Sequence, residues 1–158
     1  MNTIIKIAVD AMGGDNSPEK IIRGIIHHYK NNKDVFYKIF GNEKEIIKFL
    51  DKSINIDNYQ IINTLNKVSS EDSPLEAAKK GKDTSMWLAI ESVKNKESDI
   101  VISAGNTGAL LVISKLNLKM IQNIEKPALS ALWPNKKGMS VVLDLGANIE
   151  CSSKNLFD

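Results

Sequence analysis

Seven residues, Ser103-Ala104-Gly105-Asn106-Thr107-Gly108-Ala109, leave one apolar run and open a helical pattern. In that setting successive backbone N–H groups and the positive end of a helix dipole converge on one point, which suits an anion. Gly105 and Gly108 let the backbone approach a ligand, and Ser103, Asn106 and Thr107 can add side-chain hydrogen bonds. A tight strand-to-helix turn, capped by Asn106 or Thr107, explains the same residues without a ligand. A second loop, Asp10-Ala11-Met12-Gly13-Gly14-Asp15-Asn16, follows the first apolar run. Its two carboxylates would repel a phosphate unless a lysine or metal intervened, so Asp10 and Asp15 are expected to orient lysines or loops. The alternative is a Gly-Gly turn in which Asp15 and Asn16 satisfy local N–H groups.

The third loop is Asp144-Leu145-Gly146-Ala147-Asn148, where Asn148 can donate to a carbonyl or phosphate oxygen or simply cap a turn. Lysines 79, 80 and 82 precede Thr84 and Ser85, which open a helical pattern. Lys79 or Lys82 could gather an anion there, or the run could be a solvated basic loop. Arg23 is the sole arginine, so an anion site must rely on lysine and backbone N–H groups rather than a guanidinium fork. No Ser, Cys or His stands in a setting that marks an activated nucleophile. His28 and the two tryptophans, Trp87 and Trp133, read as packing residues, and His27 as a surface one.

Such loops need rigid elements behind them. Apolar runs alternate with helical spacing along all 158 residues, which predicts an α/β fold. The expected form is an open, mainly parallel sheet with helices on both faces, a Rossmann-like three-layer sandwich. Strands are expected at Ile4–Val9, Val35–Phe40, Tyr59–Ile62 and Ile100–Ser103. Ser17 as N-cap, Pro18 at the first position and Glu19 in the first turn announce a helix whose Ile21, Ile22, Ile25, Ile26 and Tyr29 share one face. Further helices are predicted from Glu43 to Asp51, after Ser73-Pro74, from Thr84 to Lys94 and from Thr107 to Met120. Leu129–Trp133 and Met139–Leu145 read as a hairpin across Asn135-Lys136-Lys137-Gly138.

Composition narrows the class. The net charge of +2 does not suggest a nucleic-acid surface, and the chain has one cysteine, Cys151, which excludes an internal disulfide and disfavours a cysteine-based zinc site. No metal or cofactor is expected. The first ten residues are too short and too soon acidic for a signal core, and no run reaches membrane-spanning length, so a soluble cytoplasmic protein is expected. A new helix begins near Ser152-Ser153 and the chain stops at Asp158, which reads as a truncated or split chain, one half of a single domain over residues 1–158.

The loops, taken in order, resemble a known family. Ile7-Ala8-Val9-Asp10-Ala11-Met12-Gly13-Gly14-Asp15 is similar to the opening signature of the bacterial phosphate acyltransferases of phospholipid synthesis. Ser73-Pro74, Thr84-Ser85-Met86, Ser103 to Leu110, Lys126-Pro127-Ala128-Leu129 and Leu143 to Asn148 follow in that family's order and spacing. Lys79 stands where the family often has arginine, Trp133 replaces a usual leucine, and family members run to roughly twice this length. The resemblance implies transfer of a long-chain fatty acyl group from acyl carrier protein to inorganic phosphate. It also implies a homodimer, a membrane acyltransferase as partner, and peripheral association with the inner membrane face. Phosphate is itself the nucleophile in that reaction. On this reading the Ser103–Gly108 loop holds phosphate with Lys79 or Lys82, and Asn106 and Asn148 donate to the carbonyl oxygen. Two alternatives are a phosphotransacetylase-like enzyme using coenzyme A thioesters, and a non-catalytic binding module left by a split gene.

Overall fold

The structure is a computed structural model that describes residues 4–50, 54–146, 148, 150 and 152–157. Asp51, Ala147 and Cys151, which figure in the sequence reading, lie outside the described residues. The chain divides into two compact units, Met1–Leu118 and Lys119–Asp158.

The first unit is built on four parallel strands, β1 (Ile5–Asp10), β2 (Val35–Gly41), β3 (Tyr59–Asn63) and β4 (Ile100–Ser103), in the order β3-β2-β1-β4. The expected α/β sheet is thus observed. Strand β1 is central and pairs with β2 from Ile5↔Val35 to Asp10↔Phe40 and with β4 from Ile7↔Ile100 to Asp10↔Ser103. Alternate residues of β1 serve two cores, which is why its sequence is nearly all apolar. Ile7 and Val9 face helix α1 (Glu19–Asn31), whose Ile22, Ile25 and Tyr29 are buried against them. Ala8 faces the other way and packs with Phe40 and Ala89. Ala89 belongs to α4 (Ser85–Lys94), which follows α2 (Glu43–Ile46) and α3 (Pro74–Lys79) in the chain. A third cluster joins Met86, Trp87 and Ile90 of α4 to Ala77 of α3 and to Ala109 and Ile113 of α5 (Thr107–Asn117). Burying each such large side chain contributes about 1.5–3 kcal/mol.

Several boundaries differ from expectation, among them those of α1, α2 and α5. Ser17 does not cap α1, because its hydroxyl donates to the Gly13 carbonyl at 2.5 Å and Pro18 takes the cap position without a side-chain bond. Helix α2 ends at Ile46. Helix α5 ends at Asn117, whose buried amide donates to the Ile113 carbonyl at 3.1 Å while Leu118 turns to extended geometry.

The second unit holds an antiparallel hairpin of β5 (Ser130–Asn135) and β6 (Gly138–Leu143) and a short helix, α6 (Ser153–Phe157). The turn falls on Asn135 to Gly138, as its residues predict. Leu132, Trp133, Met139, Val141 and Leu143 of the hairpin are exposed.

Candidate functional site

Strand order turns around between β1 and β4, since β2 and β3 lie to one side of β1 and β4 to the other. Loops leaving two such strands diverge, and the crevice between them is where open α/β sheets take ligands. Here those loops are the Asp10–Ser17 and Ser103–Gly108 segments named from sequence.

The two loops are fastened at their roots. Asp10, only 1 % exposed, accepts from the Ser103 hydroxyl at 2.7 Å and from its own loop, the Met12 N–H, at 3.2 Å. Ser103 Oγ in turn accepts the Gly105 N–H at 3.1 Å. The fastening requires glycine. A Cβ on Gly13 would stand 2.6 Å from Asp10 Oδ2 and 2.8 Å from the Gly105 nitrogen. Gly14, at φ +86°, would press one against the Ala104 carbonyl oxygen at 2.5 Å. Asp10, Gly13 and Ser103 therefore form the floor that holds two loops together.

Above that floor is a cleft of about 710 Å³. Of the residues singled out from sequence, Gly14, Asp15, Gly105, Asn106, Thr107 and Gly108 line it. A third wall, Lys67 to Ser70, was not foreseen. The only sequence signal for it is Val68, an isolated apolar residue in a polar stretch. The N–H groups of Asn106, Thr107 and Gly108 find no acceptor among the described residues, as befits the first turn of a helix. Gly108 also has a packing task, since a Cβ there would meet Pro74 at 2.8 Å.

Several expected roles do not survive the geometry. The Asn106 side chain caps α5 by accepting the Ala109 N–H at 3.0 Å, and its amide donates to the carbonyls of Ser70 and Asp72 at 3.2 and 2.9 Å. Both amide hydrogens are committed, so in this arrangement the side chain has none left for a substrate carbonyl. Asn148 is committed in the same way, donating to the Pro127 carbonyl and to Asp144 Oδ1, each at 3.0 Å. Lys79 and Lys82 are exposed and do not line the cleft. Thr84 and Ser85 are each 1 % exposed. Thr84 caps α4 through Trp87 N–H, and the Ser85 N–H donates to the Asn66 carbonyl at 3.0 Å, so both are joints rather than contact residues.

Asp144, Gly146 and Asn148 belong to the second unit. Asp144 and Asn148 line a separate hollow of about 580 Å³ walled by Met120, Ile121, Ile124 and Leu143, with Lys119 and Lys126 also on its lining. Gly146, at φ +76°, donates to the Asp144 carbonyl at 2.8 Å. The structure therefore gathers the first two glycine loops at one cleft and describes the third within a hollow of its own unit.

Among the described residues no group of three or more His, Cys, Asp or Glu side chains is arranged to hold a metal ion, and no helix is long and apolar enough to cross a membrane. Near the cleft, the Asp72 carboxyl is held below the usual aspartate range, first by the hydrogen bond from Lys80 at 2.5 Å and then by the Ser69 N–H. Glu76 is lowered chiefly by its hydrogen bonds with Ser73 in the capping box that starts α3.

The chain is 71 % identical over 158 residues to a phosphate acyltransferase of Pelagibacter ubique, covering all of this chain and 47 % of that protein. It is 44 % identical over 160 residues to the phosphate acyltransferase of Ehrlichia canis, covering 98 % of this chain and 48 % of the relative. With that of Parvibaculum lavamentivorans it shares 46 % identity over 147 residues, 92 % of this chain and 41 % of the relative. The chain thus spans about half the length of the curated relatives it matches. The family described as "Fatty acid synthesis protein" matches residues 5–158, and with its relatives so named, the chain belongs to the phosphate acyltransferase family of fatty acid synthesis proteins.

Proposed function

We propose that the cleft of the first unit is the acceptor site of an acyltransferase that moves a long-chain acyl group from acyl carrier protein to inorganic phosphate. The observation that carries this reading is that Asn106, Thr107 and Gly108, whose N–H groups have no acceptor among the described residues, line a polar cleft at the sheet's switch point. Family membership supports phosphate as that anion. The acyl carrier protein, an acidic partner in general, and a homodimeric assembly are carried over from the resemblance. So are a membrane acyltransferase partner and a cytoplasmic site at the inner membrane face.

The reaction needs no protein nucleophile. An oxygen of hydrogen phosphate attacks the thioester carbonyl carbon, a C–O bond forms, and the tetrahedral intermediate collapses with cleavage of C–S. The carrier thiolate leaves and takes up the phosphate proton, so acyl phosphate and free thiol balance the equation. Holding phosphate in line with the thioester can supply up to about 7–11 kcal/mol of barrier lowering. Each donor aimed at the developing oxyanion is worth about 2.7–4 kcal/mol. With Asn106 and Asn148 committed to the fold, this half contributes the acceptor site through backbone N–H groups.

The test is acyl-phosphate formation from acyl carrier protein thioester and phosphate, by this chain alone and with the carboxyl-terminal half of the Pelagibacter relative added. Product in the complemented reaction is expected. Preference for a coenzyme A thioester over the carrier protein would instead favour phosphotransacetylase-like chemistry. Absence of product with both folded halves present would leave a non-catalytic module as the better reading.

A further inference from the structure

We propose that Lys67 is the cation of the cleft, the side chain that neutralises and positions the bound phosphate. This rests on the reading of the cleft as a phosphate site. A phosphate dianion drawn out of water needs compensating charge, which neutral N–H groups supply only in part. A charge-assisted bond from an ammonium is roughly twice as strong as a neutral one. Among the described residues lining the cleft, Lys67 is the one cation and Asp15 the one carboxylate. The lysines that sequence pointed to are elsewhere: Lys79 and Lys82 lie outside the lining, and Lys80 is paired with Asp72.

Lys67 is also held where such a group must be. On its amino side, Asn66 forms a parallel bridge with Thr84 and its amide donates to Asp83 Oδ2 at 2.6 Å. On its carboxyl side, Val68 is 6 % exposed and anchored in the core that joins α3, α4 and α5. Two residues further, the Ser70 carbonyl accepts from Asn106 at 3.2 Å. Residues on both sides of Lys67 are thus tied down, while Lys67 itself is exposed. Asn106 links the wall bearing Lys67 to the start of α5, which holds the two backbone segments together. Pre-positioning of this kind reduces the ordering cost of binding.

The experiment is a titration of the 158-residue chain with inorganic phosphate, followed by phosphorus NMR line width and by the amide resonances of Asn106, Thr107 and Gly108. Lys67→Ala is expected to weaken binding about ten- to a hundredfold, the range for one lost charge-assisted contact. Lys67→Arg should bind within about threefold of the parent, and Lys79→Ala should bind as the parent does. Thermal melting of each variant checks the fold, and Lys67→Gln replaces Lys67→Ala if the latter melts early. Parent-like binding by the Lys67 variants, with the loop amides still shifting, overturns the role of Lys67 and leaves the cleft as the phosphate site. Equal weakening by Lys67→Ala and Lys79→Ala also overturns it, because diffuse charge would then suffice. If phosphate shifts no loop amide in the parent, this proposal and the reading beneath it fall together.

Discussion

The two glycine-and-asparagine loops, Ser103–Gly108 in the first unit and Asp144–Asn148 in the second, look alike in sequence and are held in different ways. The first is tied to residues far away in the chain: Ser103 to Asp10 across 93 positions, and Asn106 to Ser70 and Asp72 across 36 and 34. The second is tied over shorter spans: Asn148 to Asp144 four residues back and to the Pro127 carbonyl, and the Asp144 N–H to the Leu129 carbonyl at 2.7 Å. Around the first loop lie buried cores on both faces of a sheet, whereas the hairpin leading to the second leaves five large apolar side chains exposed. A loop clamped by long-range bonds is a place to preorganise a ligand. A loop held over short spans rests on its own neighbourhood of the chain.

The sharpest way to break that contrast is to add one carbon to each loop system. Gly13→Ala must displace a buried carboxylate and a backbone nitrogen, so a loss at the upper end of the ~1–3 kcal/mol of overpacking is expected, with the phosphate-induced shifts abolished. Gly146→Ala meets no atom within 4 Å among the described residues and bears the strain of φ +76°, about 1–2 kcal/mol. Thermal denaturation of the two variants decides; a larger loss from Gly146→Ala would reverse the comparison. A smaller effect separates the asparagines. Asn106→Ala removes a helix cap, worth about 0.5–2 kcal/mol, and frees two carbonyls besides. It should lower global stability, while Asn148→Ala should speed amide exchange only around the second loop. Global destabilisation by Asn148→Ala and none by Asn106→Ala would show that the second loop is the one integrated with its core.

The smallest effect is electrostatic. The Asp72 carboxyl, whose folded pKa is lowered, adds stability that is present above the ordinary aspartate value of about 3.9 and lost as pH falls through the lowered one. The difference in melting temperature between the parent and Asp72→Asn should therefore be present at neutral pH and vanish only in stronger acid. In the second unit Glu125 is likewise lowered by its bond to Lys154. A larger neutral-pH difference for Glu125→Gln than for Asp72→Asn would count against the first unit as the better-braced region.

Much of the fold was legible because burial writes itself into side-chain type. The parallel strands are rich in apolar residues, and α1 repeats its isoleucines at helical spacing. The two cleft loops were legible as glycine-rich strand ends. What sequence could not display was the identity of acceptors. Asn106 and Asn148 look like unused donors, yet their partners are main-chain carbonyls of Ser70, Asp72 and Pro127, and a carbonyl carries no residue signature. Ser17 failed as a cap for the same reason, its hydroxyl taken by the Gly13 carbonyl. Lys67 was hidden because its importance comes from the bridge between Asn66 and Thr84, a pairing no local pattern announces.

The bond between Asp10 and Ser103 also sets an order of events. Strand β1 can find β2 about 30 residues away, but the floor of the cleft closes only when β4 arrives, 93 residues downstream of Lys6 and Asp10. Closing the longer loop costs about 1 kcal/mol more chain entropy than closing the shorter one. A ribosome must therefore release nearly the whole first unit before the cleft can exist, and a nascent chain that stops short of β4 presents the Asp10–Ser17 loop alone, with no second wall for an anion.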